Sequence, residues 1–379
     1  IRDKLVTGVQ TCALPISGKP YSGTRGHSDY RELLAAKDID AVLISTPDHQ
    51  HAPLAVHAVR AGKHVYLQKP ASLTIAEGRR MADEVKQSGR ILQIGSQQRG
   101  QDPWPQFHRA CELVRNGRIG RLKHVEIGLP GDPSGPEAPR MPIPSNLDYD
   151  AWLGTTPEVY YTETRVHPQN SFEDRPGWLR MEQFGAGMIT GWGAHHVDIA
   201  HWGMDMEHSG PVEIWGSAEF PKSGLWNVHG PFETHARYAN GVTMTISGAL
   251  PNGVKFIGDK GWVFVQRTGA VSSSDPSKPA DVPLTASDPG ILDSVIGPNE
   301  VRLYKAPEQH RNWLDAILKG VPVSAPAEIG HRACSTCLLH HIAMKTGRRL
   351  KWDPVSERFI GDDAANAMLN RPQRAKYAI

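Results

Sequence analysis

Between residues 28 and 128 short apolar runs alternate with amphipathic stretches about every 25 residues, the pattern left by βα units laid into a parallel sheet. Residues 40–45 (DAVLIS), 64–67 (HVYL) and 91–95 (ILQIG) predict short buried strands. Residues 53–61, 74–88 and 105–116 carry apolar side chains at i, i+3, i+4 and i+7 and predict helices. The winding is Rossmann-like. A proline-rich, aperiodic stretch from 129 to 146 reads as a long connection, and the domain boundary is placed there. Beyond it the pattern predicts one long helix over 187–204 and strands over 212–218, 234–238, 242–247 and 262–265. A Ser/Pro/Asp-rich surface excursion over 269–297 and helices over 307–319 and 329–346 follow, which makes the second half α+β.

The totals narrow the class. With 379 residues, 39% hydrophobic and 22% charged, the chain has an ordinary globular composition and room for two or three domains. A formal net charge of +2 with scattered basic residues lacks the footprint of a nucleic-acid binder, so a small neutral or weakly charged ligand is the expected partner. No apolar run approaches the roughly 18 residues that span a bilayer, and no export signal is evident at the start. Cys12, Cys111, Cys334 and Cys337 are too few for a disulfide framework. Cys334 and Cys337 form a lone C-x-x-C and read as two small buried residues on one helix face, not as a zinc or redox pair.

Candidate chemistry gathers at the predicted strand ends, where a doubly wound sheet forms its ligand crevice. In ISTPDHQH (residues 44–51) the strand stops at a Ser-Thr-Pro turn, which puts Ser45, Thr46, Pro47, His49 and His51 where a dinucleotide would lie. A capped turn reads the same residues without a ligand. The next strand ends in Leu67-Gln68-Lys69-Pro70, an ammonium group on a stiff X-Pro junction that could polarise a hydroxyl or carbonyl, its pKa lowered by partial burial. The third exits at Gly95-Ser96-Gln97, whose amide could bond a carboxamide or ribose. Further on, GWGAHHVDIAHW (residues 191–202) places His195 and Asp198 three apart on one helix face, an arrangement suited to general acid/base work. A metal reading of His195, His196 and Asp198 fails because the two histidines point about 100° apart on a helix.

A lysine-proline closing a Rossmann strand, followed much later by G-x-H-x-x-D at a helix start, resembles the Gfo/Idh/MocA family of nicotinamide-dependent sugar and polyol oxidoreductases. The stretches AGKHV (61–65), ELV (112–114) with GRIG (117–120), and DAWLG (150–154) agree, so the resemblance covers residues 18–371. It implies an α/β Rossmann-like N-terminal domain over 18–128 and a C-terminal α+β domain over 129–371 with a large open, mainly antiparallel sheet. It also implies NAD or NADP as cofactor, a carbohydrate substrate, and a homodimer or homotetramer built on that sheet. Lys69 takes the place of the family's E-K-P lysine, which contacts substrate and nicotinamide, and His195 that of its catalytic histidine. Gln68 and Gln97 fall beside the cofactor, and Trp152, Arg165, Trp192, His196 and Asp198 are expected at the substrate.

Two departures stand out. Gln68 replaces the glutamate of E-K-P, and Gly191 stands where the family's D-x-G-x-H has its aspartate. Asp198, Glu182 and Glu163 are candidates for the missing charge. The resemblance implies a dehydrogenase or reductase first, an NAD-keeping glycosidase that oxidises, eliminates, hydrates and reduces back second, and a non-catalytic sugar-binding relative third. Residues 1–17 match nothing in the family and read as foreign sequence, with the first βαβ unit and its G-x-G-x-x-G turn missing. On that reading the chain binds a dinucleotide weakly, and the compartment is open.

Overall fold

The structure, a computed structural model, describes residues 26–166, 177–267 and 282–379. The expected foreign segment lies outside the described residues, as do residues 269–281 of the excursion over 269–297.

A short helix, α1 (Tyr30–Ala35), leads into three βα steps: β1 (Ala41–Ile44), α2 (Asp48–Arg60), β2 (His64–Leu67), α3 (Ile75–Ser88), β3 (Leu92–Ile94) and α4 (Gln106–Arg115). The strands form a parallel sheet in the order β1-β2-β3. Helix α3 has a local signal at both ends. Thr74 caps α3 by accepting from Glu77 N at 3.2 Å, and Gly89, at φ +65°, ends it in the left-handed conformation a side chain resists.

Helix α2 begins five residues before the sequence pattern placed it, so Pro53 lies inside it. A proline there has no N–H for the carbonyl four residues back, which is that of His49. That carbonyl is served from elsewhere: Arg371 Nη2 donates to it at 2.9 Å and Thr155 Oγ1 at 3.4 Å.

Among the described residues the second sheet has nine strands in the order β10-β9-β8-β4-β7-β6-β5-β11-β12, antiparallel throughout except for the parallel pair β4·β7. Its members are β4 (Leu122–Gly128), β5 (Glu213–Ala218), β6 (Phe232–Arg237), β7 (Thr243–Ser247), β8 (Gly253–Gly258), β9 (Trp262–Val265), β10 (Leu284–Ala286), β11 (Leu350–Asp353) and β12 (Arg358–Phe359). Because β4 pairs with β7 and β8, the sequence boundary at 128 falls one strand too late. Burial periodicity marks β4 as a strand without saying which sheet it joins.

Between β4 and β5 lie α5 (Tyr149–Leu153), α6 (Glu163–Val166), α7 (Met188–Gly191) and α8 (Gly193–Met204); α9 (Pro289–Asp293), α10 (Gln309–Lys319) and α11 (Ala327–Thr346) precede β11. The single helix predicted over 187–204 is broken at Trp192, between two glycines. Helix α8 is buried along its whole length, against α4 and α11, and a Cβ on Gly193 would stand 3.1 Å from Cys337 Sγ. Cys334 and Cys337 are buried thiols on α11, as the pattern suggested. Among the described residues no helix is long and apolar enough to cross a membrane.

Candidate active site

The parallel register sets Ile44 opposite Leu67, and Gln68 N donates to Ile44 O at 2.9 Å, so the chain leaves β1 and β2 at the same edge. Past β1, Ser45 is exposed, Thr46 Oγ1 is buried without a protein partner, and Pro47 opens α2. Past β3, Gln97 Nε2 donates to Gln68 Oε1 at 3.3 Å and to Tyr66 OH at 3.4 Å. Gly95 leaves these amides room: a Cβ there would approach Gln68 Oε1 to 2.9 Å and Gln97 Nε2 to 3.1 Å and push the two side chains aside. Ser45, Thr46, Gln68, Lys69 and Gln97 therefore line one polar edge.

Across that edge stands the α7–α8 break. Lys69 Nζ donates to Gly191 O at 2.8 Å, and His195 follows in the first turn of α8. The carbonyl thus anchors the lysine at the position where the family motif has an aspartate. His195 is 5% exposed and packs edge-on to Trp192, and its Nδ1 has no protein partner. Burial, with the charges of Arg267 and Lys69, holds its pKa well below the usual histidine value, so the ring is neutral at neutral pH. Burial also lowers the Lys69 pKa, opposed by Asp48.

Asp48 opens α2 at 3% exposure, with Oδ2 buried and without a hydrogen-bond partner; burial pushes its carboxyl up to about 7 against the pull of Lys69. Arg267, just past β9, lies over the rings of Trp104 (4.1 Å) and Trp192 (4.7 Å). Sequence reasoning missed both residues. Asp48 sits inside the ISTPDHQH stretch, where its neighbours drew the attention, and nothing in the pattern around Arg267 points to a site.

Several expected site residues are spent on the protein itself. His49 Nε2 lies 2.8 Å from Trp152 O, and the ring packs between Trp152 and Phe184. The ring nitrogens of His51 lie 2.7 Å from Pro70 O and 2.8 Å from Thr46 O, which ties the two strand-end turns together; burial lowers its pKa to about 4. Both were expected at the cofactor, and both face inward because α2 starts at Asp48 and carries them into its buried first turns. Trp152, expected at substrate, is 5% exposed in a cluster with Tyr149 and Phe184. Arg165 is buried over the Tyr160 ring and donates to Tyr160 O at 3.1 Å.

His196, unlike His195, is held from both sides, by Asn252 Oδ1 at 2.7 Å and Gln98 Nε2 at 3.4 Å. Asp198 corrects the sequence reading most clearly. Its two oxygens accept from Arg99 Nε at 2.7 Å and Nη2 at 2.8 Å. Of the residues proposed for the missing charge, Asp198 is thus neutralised by Arg99, and Glu182 pairs with Lys345 at 2.8 Å. Of the expected substrate residues, Trp192 packs against the His195 ring.

Comparison with known proteins places this architecture. A model described as oxidoreductase family, NAD-binding Rossmann fold, matches residues 19–96, and one described as oxidoreductase family, C-terminal alpha/beta domain, matches 134–274 and 297–379. The chain belongs to the Gfo/Idh/MocA oxidoreductase family. Among curated relatives, an uncharacterized oxidoreductase, YrbE, of Bacillus subtilis is 34% identical over 122 residues, 32% of either chain. A glycosyl hydrolase family 109 protein of Shewanella pealeana is 32% identical over 127 residues, 33% of this chain and 26% of that one. Myo-inositol 2-dehydrogenase of Thermotoga maritima is 32% identical over 125 residues, 33% of this chain and 34% of that one. The matched stretch thus spans about a third of the length of such Gfo/Idh/MocA relatives. The fold is shared with the WlbA dehydrogenase of Bordetella pertussis, solved with NADH and UDP-GlcNAcA (TM-score 0.58, 17% identity, 87% and 84% of the two chains). It is shared equally with GenD2 from gentamicin A biosynthesis, solved with NAD (TM-score 0.58, 19% identity, 87% and 83%).

Proposed function

We propose that this chain is an NAD(P)-dependent oxidoreductase acting on a hydroxyl or carbonyl of a sugar, polyol or related ring alcohol. The observation that carries the reading is the convergence of Lys69 and His195 on the α7–α8 break, beside the polar edge of a family Rossmann domain. The edge fits a nicotinamide: Thr46 Oγ1 is an orphaned buried hydroxyl, and the Gln68 and Gln97 amides can bond a carboxamide. The bound cofactor supplies the hydride acceptor or donor.

The protein's part is to hold the reacting oxygen and manage its proton. Lys69 keeps one N–H on Gly191 O and has two left for a substrate oxygen, which steadies developing negative charge in a water-poor site. His195, neutral by burial, takes the hydroxyl proton in oxidation and returns it in reduction. The glycosyl hydrolase family 109 relative favours a second reading of the same pair, a redox-assisted glycosidase.

The test uses the chain as it stands and the chain carrying a strand-GxGxxG-helix unit ahead of residue 18. Turnover of NAD or NADP on a panel of sugars and polyols, lowered at least about 10²-fold by Lys69→Met and by His195→Ala, is the expected result. Aryl-glycoside cleavage without net reduction supports the second reading. Cofactor binding with neither activity refutes both.

A further inference from the structure

Lys69 is half-buried, with neutral groups and one further cation, Arg267, around it. Gln68 beside it is an amide, Gly191 offers a carbonyl, and His195 and His51 are held neutral by burial. An ammonium so placed is steadied by an anion nearby. The turn after β1 provides one. His51 bridges Thr46 O and Pro70 O, which clamps the start of α2 against the loop that carries Lys69. Asp48 stands at that helix start, 3% exposed, with Oδ2 turned to no donor of the protein. Cys334 on α11, bonded to Ser72 O at 3.3 Å, is held as a protonated thiol by burial, with the Asp48 charge acting in the same direction.

We propose that Asp48 is the counter-ion of Lys69, a positioning residue that sets the protonation of the lysine and touches substrate only through it. This rests on the reading of Lys69 given above. The pair carries one proton between two sites: ammonium with carboxylate, or amine with acid, each neutral overall. The positive end of α2 favours the carboxylate, and burial favours the acid. Arg267, past β9, and His195, on α8, are the other titratable groups felt at this place; Arg267 pushes the lysine's proton off, and Asp48 holds it on. The charge absent at positions 68 and 191 is thereby supplied from position 48.

Two reciprocal titrations test it without substrate or cofactor. In protein labelled with 13C at the lysine ε-carbon, with the Lys69 signal assigned by its loss in Lys69→Arg, Asp48→Asn lowers the Lys69 midpoint by at least about one pH unit. In protein labelled at the aspartate carboxyl, with the Asp48 signal assigned by its loss in Asp48→Asn, Lys69→Met raises the Asp48 midpoint, since linkage between two sites is mutual. A Lys69 midpoint unmoved in folded Asp48→Asn overturns the proposal. If that variant does not fold, Asp48 is assigned instead by difference spectra against Asp48→Glu, and an Asp48 midpoint unmoved in Lys69→Met overturns it. In the active enzyme Asp48→Asn shifts the alkaline limb of kcat/KM toward acid, with the cofactor KM unchanged. A chain that turns over no sugar yet shows both shifts refutes the proposed function and leaves the coupling of Asp48 to Lys69 standing.

Discussion

Arg99→Met isolates the interaction that withdraws Asp198 from the site. Arg99 is 2% exposed, chelates both oxygens of Asp198, reaches Glu207 at 2.6 Å and Ser324 O at 3.2 Å, and lies over the Trp202 ring. Methionine keeps most of the packing and strands a carboxylate that is 1% exposed. Removing one partner of a buried pair costs about 3–5 kcal/mol, which at about 2–4 °C per kcal/mol lowers Tm by about 6–20 °C. Asp198 is already pushed above the ordinary carboxylate value by burial, with Arg99 the main force holding it down, and without Arg99 it rises further. A raised folded-state pKa means that the folded protein binds the proton more readily than the unfolded chain. The deficit is therefore greatest above the folded pKa and shrinks as pH falls toward about 4. Urea denaturation at pH 7.5 and pH 5 measures it, and the double variant Arg99→Met/Asp198→Leu is expected to lose less than the sum of its parts. A deficit below about 1 kcal/mol at pH 7.5, or one indifferent to pH, would falsify the reasoning.

Three other perturbations read different parts of the fold. Asp132 accepts from Met188 N at 2.6 Å at the head of α7, and burial raises its carboxyl to about 6. Ionised Asp132 therefore costs stability as pH climbs from about 4 to 6, so Asp132→Asn gains on wild type between pH 4.5 and pH 7.5 in thermal melts; a parallel pH dependence contradicts this. Cys111, Cys334 and Cys337 are buried with thiols held protonated, and peptide-resolved alkylation at pH 8 is expected to spare all three until the protein unfolds; rapid labelling of any one contradicts its burial. Arg371→Ala uncovers the His49 carbonyl beneath Pro53 and the Glu77 carboxylate, on the order of 2 kcal/mol by denaturant midpoint, and unchanged stability would show that water replaces the guanidinium at no cost.

The three parallel strands and their helices were legible because each is a short apolar run or a helical stripe bounded by turn residues. Lys69 and His195 were legible through flanking motifs. What escaped was whatever depends on a distant partner. Pro53 looked like a helix start because the residue that serves the His49 carbonyl, Arg371, stands 322 positions away. Asp198 looked available because Arg99, its partner, precedes it by 99 positions in another element. His49 and His51 were placed at the correct turn, but one residue of helix register decides whether a ring meets the crevice or the core. Asp48, between them, gains its meaning only from the loop that carries Lys69.

The final residues carry a consequence for how the protein is made. Arg371 closes on Glu77, Thr155, Thr156 and the His49 carbonyl, and Arg374, Lys376 and Tyr377 all converge on Asp150. Helix α3 also lies against α11, which is translated some 250 positions later. A ribosome delivers the nucleotide-binding half first, yet the His49 carbonyl of its second helix lacks the Arg371 guanidinium until the C-terminal segment has left the exit tunnel. The half that emerges first is finished last, since the face that α3 turns to α11 is covered only when α11 has been made.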